Sequence, residues 1–114
     1  MEKFVDQTLL YDFYGELLTE HQRRIYEDVV LNDYSLSEVA QDLGISRQGV
    51  HDNIKRCNKI LAEYESKLRL VHKFLLIKDK NHEIHGLVQD VDSITKVELA
   101  SQVEKISQDI LEEL

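Results

Sequence analysis

The chain has 114 residues, with 22 Asp and Glu against 14 Lys and Arg, four glycines and no proline. That length allows one domain with a modest core, and the single cysteine, Cys57, excludes an internal disulfide. No apolar run approaches the roughly 18–20 residues of a membrane span, and the acidic start, MEKFVDQTLLYDFYGEL, lacks the basic segment and cleavage site of a signal peptide, so a cytoplasmic protein without membrane insertion is expected.

Helical periodicity dominates and predicts an all-α protein. Residues 3–14 read as a first helix, with Phe4, Val5, Leu9, Leu10, Phe13 and Tyr14 on its apolar face and a break near Gly15. Thr19 is placed to cap a second helix, EHQRRIYEDVVLND, whose Ile25, Tyr26, Val29 and Val30 turn inward.

The most informative stretch is SLSEVAQDLGISRQGVHDNIKR, residues 35–56. Ser35 is an N-cap with Glu38 as its capping-box partner. Leu36, Val39, Ala40 and Leu43 then share one face. Gly44 stands where a helix ends in a left-handed residue, and Ile45 is expected to plug the corner. Ser46 offers a second cap, and Val50 and Ile54 give the next helix a narrow apolar stripe. Ala40 is small where the two helices must cross. This is the layout of a helix-turn-helix, whose second helix enters the DNA major groove.

From Arg47 no breaker appears until Gly86. Ile54, Cys57, Leu61, Tyr64, Leu68, Val71 and Leu75 alternate spacings of three and four, an a/d seam that suits a coiled coil or a bundle core. A homodimer through this seam or through the C-terminal helix is therefore expected. Residues 79–92, DKNHEIHGLVQDVD, read as a loop. Ser93 would cap a last helix carrying Ile94, Val97, Leu99, Val103, Ile106, Ile110 and Leu114. The predicted organisation is a helix-turn-helix domain with a long helix over 1–80. A loop and an acidic helix over 81–114 join the same compact domain or a dimer interface.

A net charge of −8 argues against nucleic acid until its distribution is read. Residues 1–45 hold 3 basic and 10 acidic residues, 46–80 hold 9 and 4, and 81–114 hold 2 and 8. The positive charge begins at the second helix of the motif, and a local patch acts over a Debye length of about 8 Å. With Val50 and Ile54 inward, Ser46, Arg47, Gln48, His51 and Asp52 face outward. Arg47 suits guanine and Gln48 suits adenine. His51, Lys55, Arg56 and Lys59 are better placed for phosphates. The candidate nucleic-acid-binding set is Ser46, Arg47, Gln48, His51, Lys55, Arg56 and Lys59, on DNA or RNA.

An enzyme is not expected. His82 and His85 flank Glu83 in NHEIH, but the spacing is not that of a zinc protease helix, and a pair of polar loop histidines is the better account. Cys57 sits on the apolar seam and reads as buried. No phosphate loop, nucleophile–base pair or catalytic carboxylate pair stands out, and no cofactor or metal is expected.

The run SLSEVAQDLGISRQGVHDNIKRCNKIL resembles region 4 of bacterial sigma factors, a helix-turn-helix that reads promoter DNA. The chain as a whole resembles the small bacterial YlxM family of helix-turn-helix proteins. The likeness runs from LLYDFYGELLTEHQRRIYEDVVLNDYSLSEVA through SRQGVHDNIKRCNKILAEYESKL and is strongest over residues 9–70. The resemblance implies a fold like sigma region 4, with a regulatory role tied to the signal recognition particle pathway. It departs from sigma factors at Gly49, Asp52 and Asn53 in the second helix, where Gly49 weakens the helix by about 1 kcal/mol and Asp52 repels phosphate. The alternative reading is an accessory factor that docks on a component of the particle, its RNA or a GTPase, without specific DNA binding.

Overall fold

A computed structural model describes the backbone of residues 3–114 and the side chains of residues 7–114. Among them the fold is all-α, with no strand: α1 (Lys3–Tyr14), α2 (Glu20–Tyr26), α3 (Leu36–Leu43), α4 (Arg47–Leu68), α5 (Leu70–Gln89) and α6 (Lys96–Glu113). Short 3-10 turns cover Gly15–Leu17 and Val91–Ser93, and a π-helical turn, Glu27–Leu31, follows α2. Two compact units result, residues 1–69 and residues 70–114.

The first unit begins as its sequence dictates. The Thr19 hydroxyl accepts from the Gln22 backbone N–H at 3.1 Å, and the Gln22 side chain accepts from the Thr19 N–H at 2.9 Å. This reciprocal capping satisfies two donors that a helix start would otherwise orphan. The expected second helix, 20–33, is α-helical only to Tyr26. Beyond it the Asn32 N–H donates to the Glu27 carbonyl, five residues back, and Asp33 takes a left-handed φ of 58°. Phe4 and Val5, expected on the apolar face of α1, lie outside the described side chains. Of the rest, Leu9 and Leu10 are half-buried, Tyr14 is buried and Phe13 is partly exposed.

Tyrosines tie α1 and α2 to α4. The Tyr14 hydroxyl donates to Glu65 at 2.6 Å and the Tyr26 hydroxyl to Asn58 at 2.7 Å. Tyr11 stacks on Tyr26, with ring centroids 5.3 Å apart. The Cys57 and Leu61 side chains are wholly buried in this unit, as their seam positions predict, and burial pushes the Cys57 thiol up. The seam from Ile54 to Tyr64 is thus covered by helices of its own chain, and is not free to meet a second copy.

Burial pushes both the Tyr11 and Tyr26 phenols up to about 12, with the Glu27 carboxylate adding to the effect at Tyr11. Unfolded, the same groups ionise near 10. The fold holds the neutral phenols, so their contribution is complete below pH ~10 and is lost as pH rises towards about 12. An alkaline titration should show the Tyr11 and Tyr26 phenolates forming late, and a melting temperature that falls across that interval. If Tyr11 and Tyr26 ionised near pH ~10 with the fold intact, the burial of these two phenols would be refuted.

The structure corrects the reading after residue 68. The helix from Arg47 does not run unbroken to Gly86. It ends at Arg69, which takes a left-handed conformation (φ 55°) and donates its N–H to the Glu65 carbonyl at 2.8 Å. For a residue with a β-carbon this conformation costs roughly 1–2 kcal/mol, so local preference does not account for the break. Residue 80 lies inside α5, and 79–89 are helical although they read as a loop. There Lys80 bridges Glu83 and Asp109, both at 3.1 Å, and these carboxylates push its pKa up. That link to α6 and the burial of Ile106 favour a helix over the tolerable penalty of Gly86. His82 and His85 accordingly sit on a helix and not in a loop. Ser93 does not cap the last helix. Thr95 does, accepting from the Glu98 N–H at 3.1 Å, while Ser93 donates to the Asp90 carbonyl at 2.9 Å.

Candidate nucleic-acid interface

The pair α3 and α4 is fixed at both ends of its turn. The Ser35 hydroxyl accepts from the Glu38 N–H at 3.1 Å, and Glu38 accepts from the Ser35 N–H at 3.3 Å. At the other end Gly44 has φ 70°, and the Ile45 N–H reaches back to the Ala40 carbonyl at 3.1 Å. That bond from two residues past the helix end is a Schellman closure, and it needs the left-handed residue that glycine supplies without strain. Ile45 does not plug the corner fully, since it stays 38% exposed.

Immediately after the turn, the Ser46 hydroxyl accepts from the Gly49 N–H at 2.9 Å and starts α4. A β-carbon at residue 49 would crowd that hydroxyl at 3.1 Å. Gly49 therefore leaves room for the cap, which offsets its low helix preference. Beneath the turn, Ile25, Val39, Ala40 and Val50 form a buried cluster, with Leu36, Leu43 and Ile54 packed against it. Full burial of each larger aliphatic there contributes about 1.5–3 kcal/mol. With Val50 held inward, the orientation of α4 is fixed. An exposed pair, Arg24 to Asp42 at 3.1 Å, joins α2 to α3 and adds about 1 kcal/mol at most.

The outward face of α4 carries the residues singled out by sequence. Arg47, Gln48 and His51 are exposed and, with Leu36 of α3, line one shallow depression. Lys55, Arg56 and Lys59 are exposed farther along the same helix. Arg47, Lys55, Arg56 and Lys59 enter no ion pair among the described residues. Ser46 differs from the rest, because its hydroxyl is occupied as the helix cap.

One residue of this face was absent from the candidate set. Asp52 lies between Gln48 and Lys55 and accepts from the Gln48 side-chain amide at 2.9 Å, with the His51 ring nitrogen 3.7 Å away. Gln48, Asp52, Lys55 and Lys59 follow each other at spacings of four, three and four, so the carboxylate stands inside the basic face. The i, i+4 spacing of Gln48 and Asp52 was the signal for this pair. The bond uses one of the two Gln48 amide protons and leaves the other, with the amide oxygen, unengaged by Asp52. The basic stretch 46–80 divides between the two units, and Lys80 is consumed by Glu83 and Asp109.

A short helix and a long one around a capped turn, the second with its N-terminal face exposed, define a helix-turn-helix protein. The chain belongs to the UPF0122 family, whose model, described as "Putative helix-turn-helix protein, YlxM / p13 like", matches residues 1–109. It is 44% identical to a UPF0122 protein of Acetivibrio thermocellus over 98% of this chain and 99% of that one. A UPF0122 protein of Staphylococcus epidermidis is 42% identical over 88% of this chain and 86% of its own length. Identity reaches 57% with one from Caldanaerobacter subterraneus over a shorter match, 63% of this chain and 62% of the relative. Among the described residues no helix is long and apolar enough to cross a membrane.

Proposed function

We propose that this chain is a cytoplasmic nucleic-acid-binding regulator that lays the N-terminal half of α4 in a duplex groove. Arg47 and Gln48 contact base edges, while His51, Lys55, Arg56 and Lys59 contact phosphates. The observation that carries the reading is the outward face of α4, where these side chains stand exposed on a helix locked by a buried Val50. Asp52 shapes the readout: its bond to the Gln48 amide occupies one of the two amide protons and steadies the side chain, leaving a donor and an acceptor for a base edge such as that of adenine. The family resemblance adds a regulatory tie to the signal recognition particle pathway. A homodimer completes the reading, since two copies would bring two basic faces to one nucleic acid.

A second reading is favoured by the carboxylate of Asp52 inside the basic face and by the net charge of −8. In it the helix-turn-helix is a scaffold that docks on a component of the particle, its RNA or a GTPase. A fluorescence titration against duplex DNA and structured RNA, at low and at physiological salt, separates the two. Binding that weakens steeply with salt supports the regulator. Failure to bind either at low salt, where phosphate attraction is strongest, transfers the function to the scaffold reading.

A further inference from the structure

The second unit is a hairpin of α5 and α6 with little interior of its own. Of its large side chains only Val71 and Ile106 are buried. Units of about 40 residues seldom hold together on so small a core without assembly. α5 meets α6 through Lys80, which reaches Asp109, and around Leu87, which shares a depression with Ile106. A second stripe lies roughly a quarter of a turn around α5 from that face. It consists of Ile77, Asn81, Ile84 and Val88, spaced four, three and four. Ile77 is 41% exposed, Ile84 37% and Val88 65%, and Asn81 is exposed as well.

This stripe has the spacing of a heptad seam, with Ile77 and Ile84 at d and Asn81 and Val88 at a. We propose that it is closed by the same stripe of a second copy of this chain, about a twofold axis that sets Asn81 against the partner's Asn81. The lone asparagine selects the occupant. Against an apolar surface its amide would lose its hydrogen bonds to water without replacement. An identical amide across a twofold provides both a donor and an acceptor, and a twofold brings identical positions together. Charge agrees with a second copy. α6 carries five carboxylates and two lysines, while α5 carries three lysines, three histidines and two carboxylates. Each acidic α6 then offsets the lysines that pairing two α5 helices brings near each other.

The inference rests on the homodimer named in the proposed function and does not depend on nucleic-acid contact. It is tested by Asn81→Cys in the full chain. Cys57 is wholly buried, so the new thiol is the accessible one. In a glutathione buffer Asn81→Cys should be recovered largely as a disulfide-linked dimer. Asp79→Cys, exposed and off the stripe, should stay at background. Ile84→Glu should weaken wild-type self-association at least about tenfold in sedimentation equilibrium, with the circular dichroism of the chain retained. A wild-type monomer at tens of micromolar overturns both the homodimer and this surface. A dimer in which the Asn81→Cys variant stays unlinked, or in which Asp79→Cys links equally, overturns the surface and leaves the homodimer standing.

Discussion

Val50→Asp should abolish the cooperative melting of the first unit. Val50 is 0% exposed and lies among Ile25, Val39 and Ala40, none of which offers a hydrogen-bond partner through its side chain. A carboxylate there must either ionise without a partner or stay protonated well above its usual range, and each costs several kcal/mol. Small domains hold only about 5–15 kcal/mol of stability in all. Leu43→Asp should do less, because Leu43 is half-buried at the rim of the cluster and its carboxylate can turn towards water. Thermal melts followed by circular dichroism check both, and the order of severity is part of the prediction. A Val50→Asp protein that melts like wild type would mean that α4 is not anchored at Val50, and the orientation of the basic face would lose its basis.

That anchoring was legible in the sequence because each signal is local. Thr19, Ser35 with Glu38, and Ser46 are caps whose partners lie three residues away, and Gly44 marks its own φ. The inward positions Val39, Ala40 and Val50 followed from helical spacing alone. The break at Arg69 was not legible, since no glycine or proline marks it and an arginine takes the left-handed turn there. A distant contact hid the helix over 79–89, where the polar run DKNHEIH looked like a loop. It is held by a bond from Lys80 to Asp109, nearly thirty residues on, that no local window can see. At the candidate site, the outward set on α4 was readable once Val50 and Ile54 were turned in. The role of Asp52 needed the observed bond to Gln48, because the spacing permits that bond but does not require it.

The last expectation separates the two kinds of contact on α4. Arg47 stands at the start of the helix, where a helix-turn-helix meets base edges. Arg47→Ala should lower affinity for a preferred sequence by about 1–3 kcal/mol and relax the preference at one base pair, with a smaller effect on other sequences. Lys55, Arg56 and Lys59 lie farther along, on the side that follows the backbone, and carry no pairing that their loss would disturb. Replacing all three by alanine should weaken binding to every duplex alike. It should also reduce the salt slope by about 0.9 for each phosphate contact removed, or roughly three units in all. Neither change touches the buried cluster, so melting temperatures should match wild type, and a loss of binding cannot be ascribed to unfolding. Titrations of both variants against a preferred and an unrelated duplex, each at two salt concentrations, give the comparison. If Arg47→Ala weakened all sequences equally while the triple variant kept the wild-type slope, α4 would not be lying in a groove. Its charge would then serve contact with a protein.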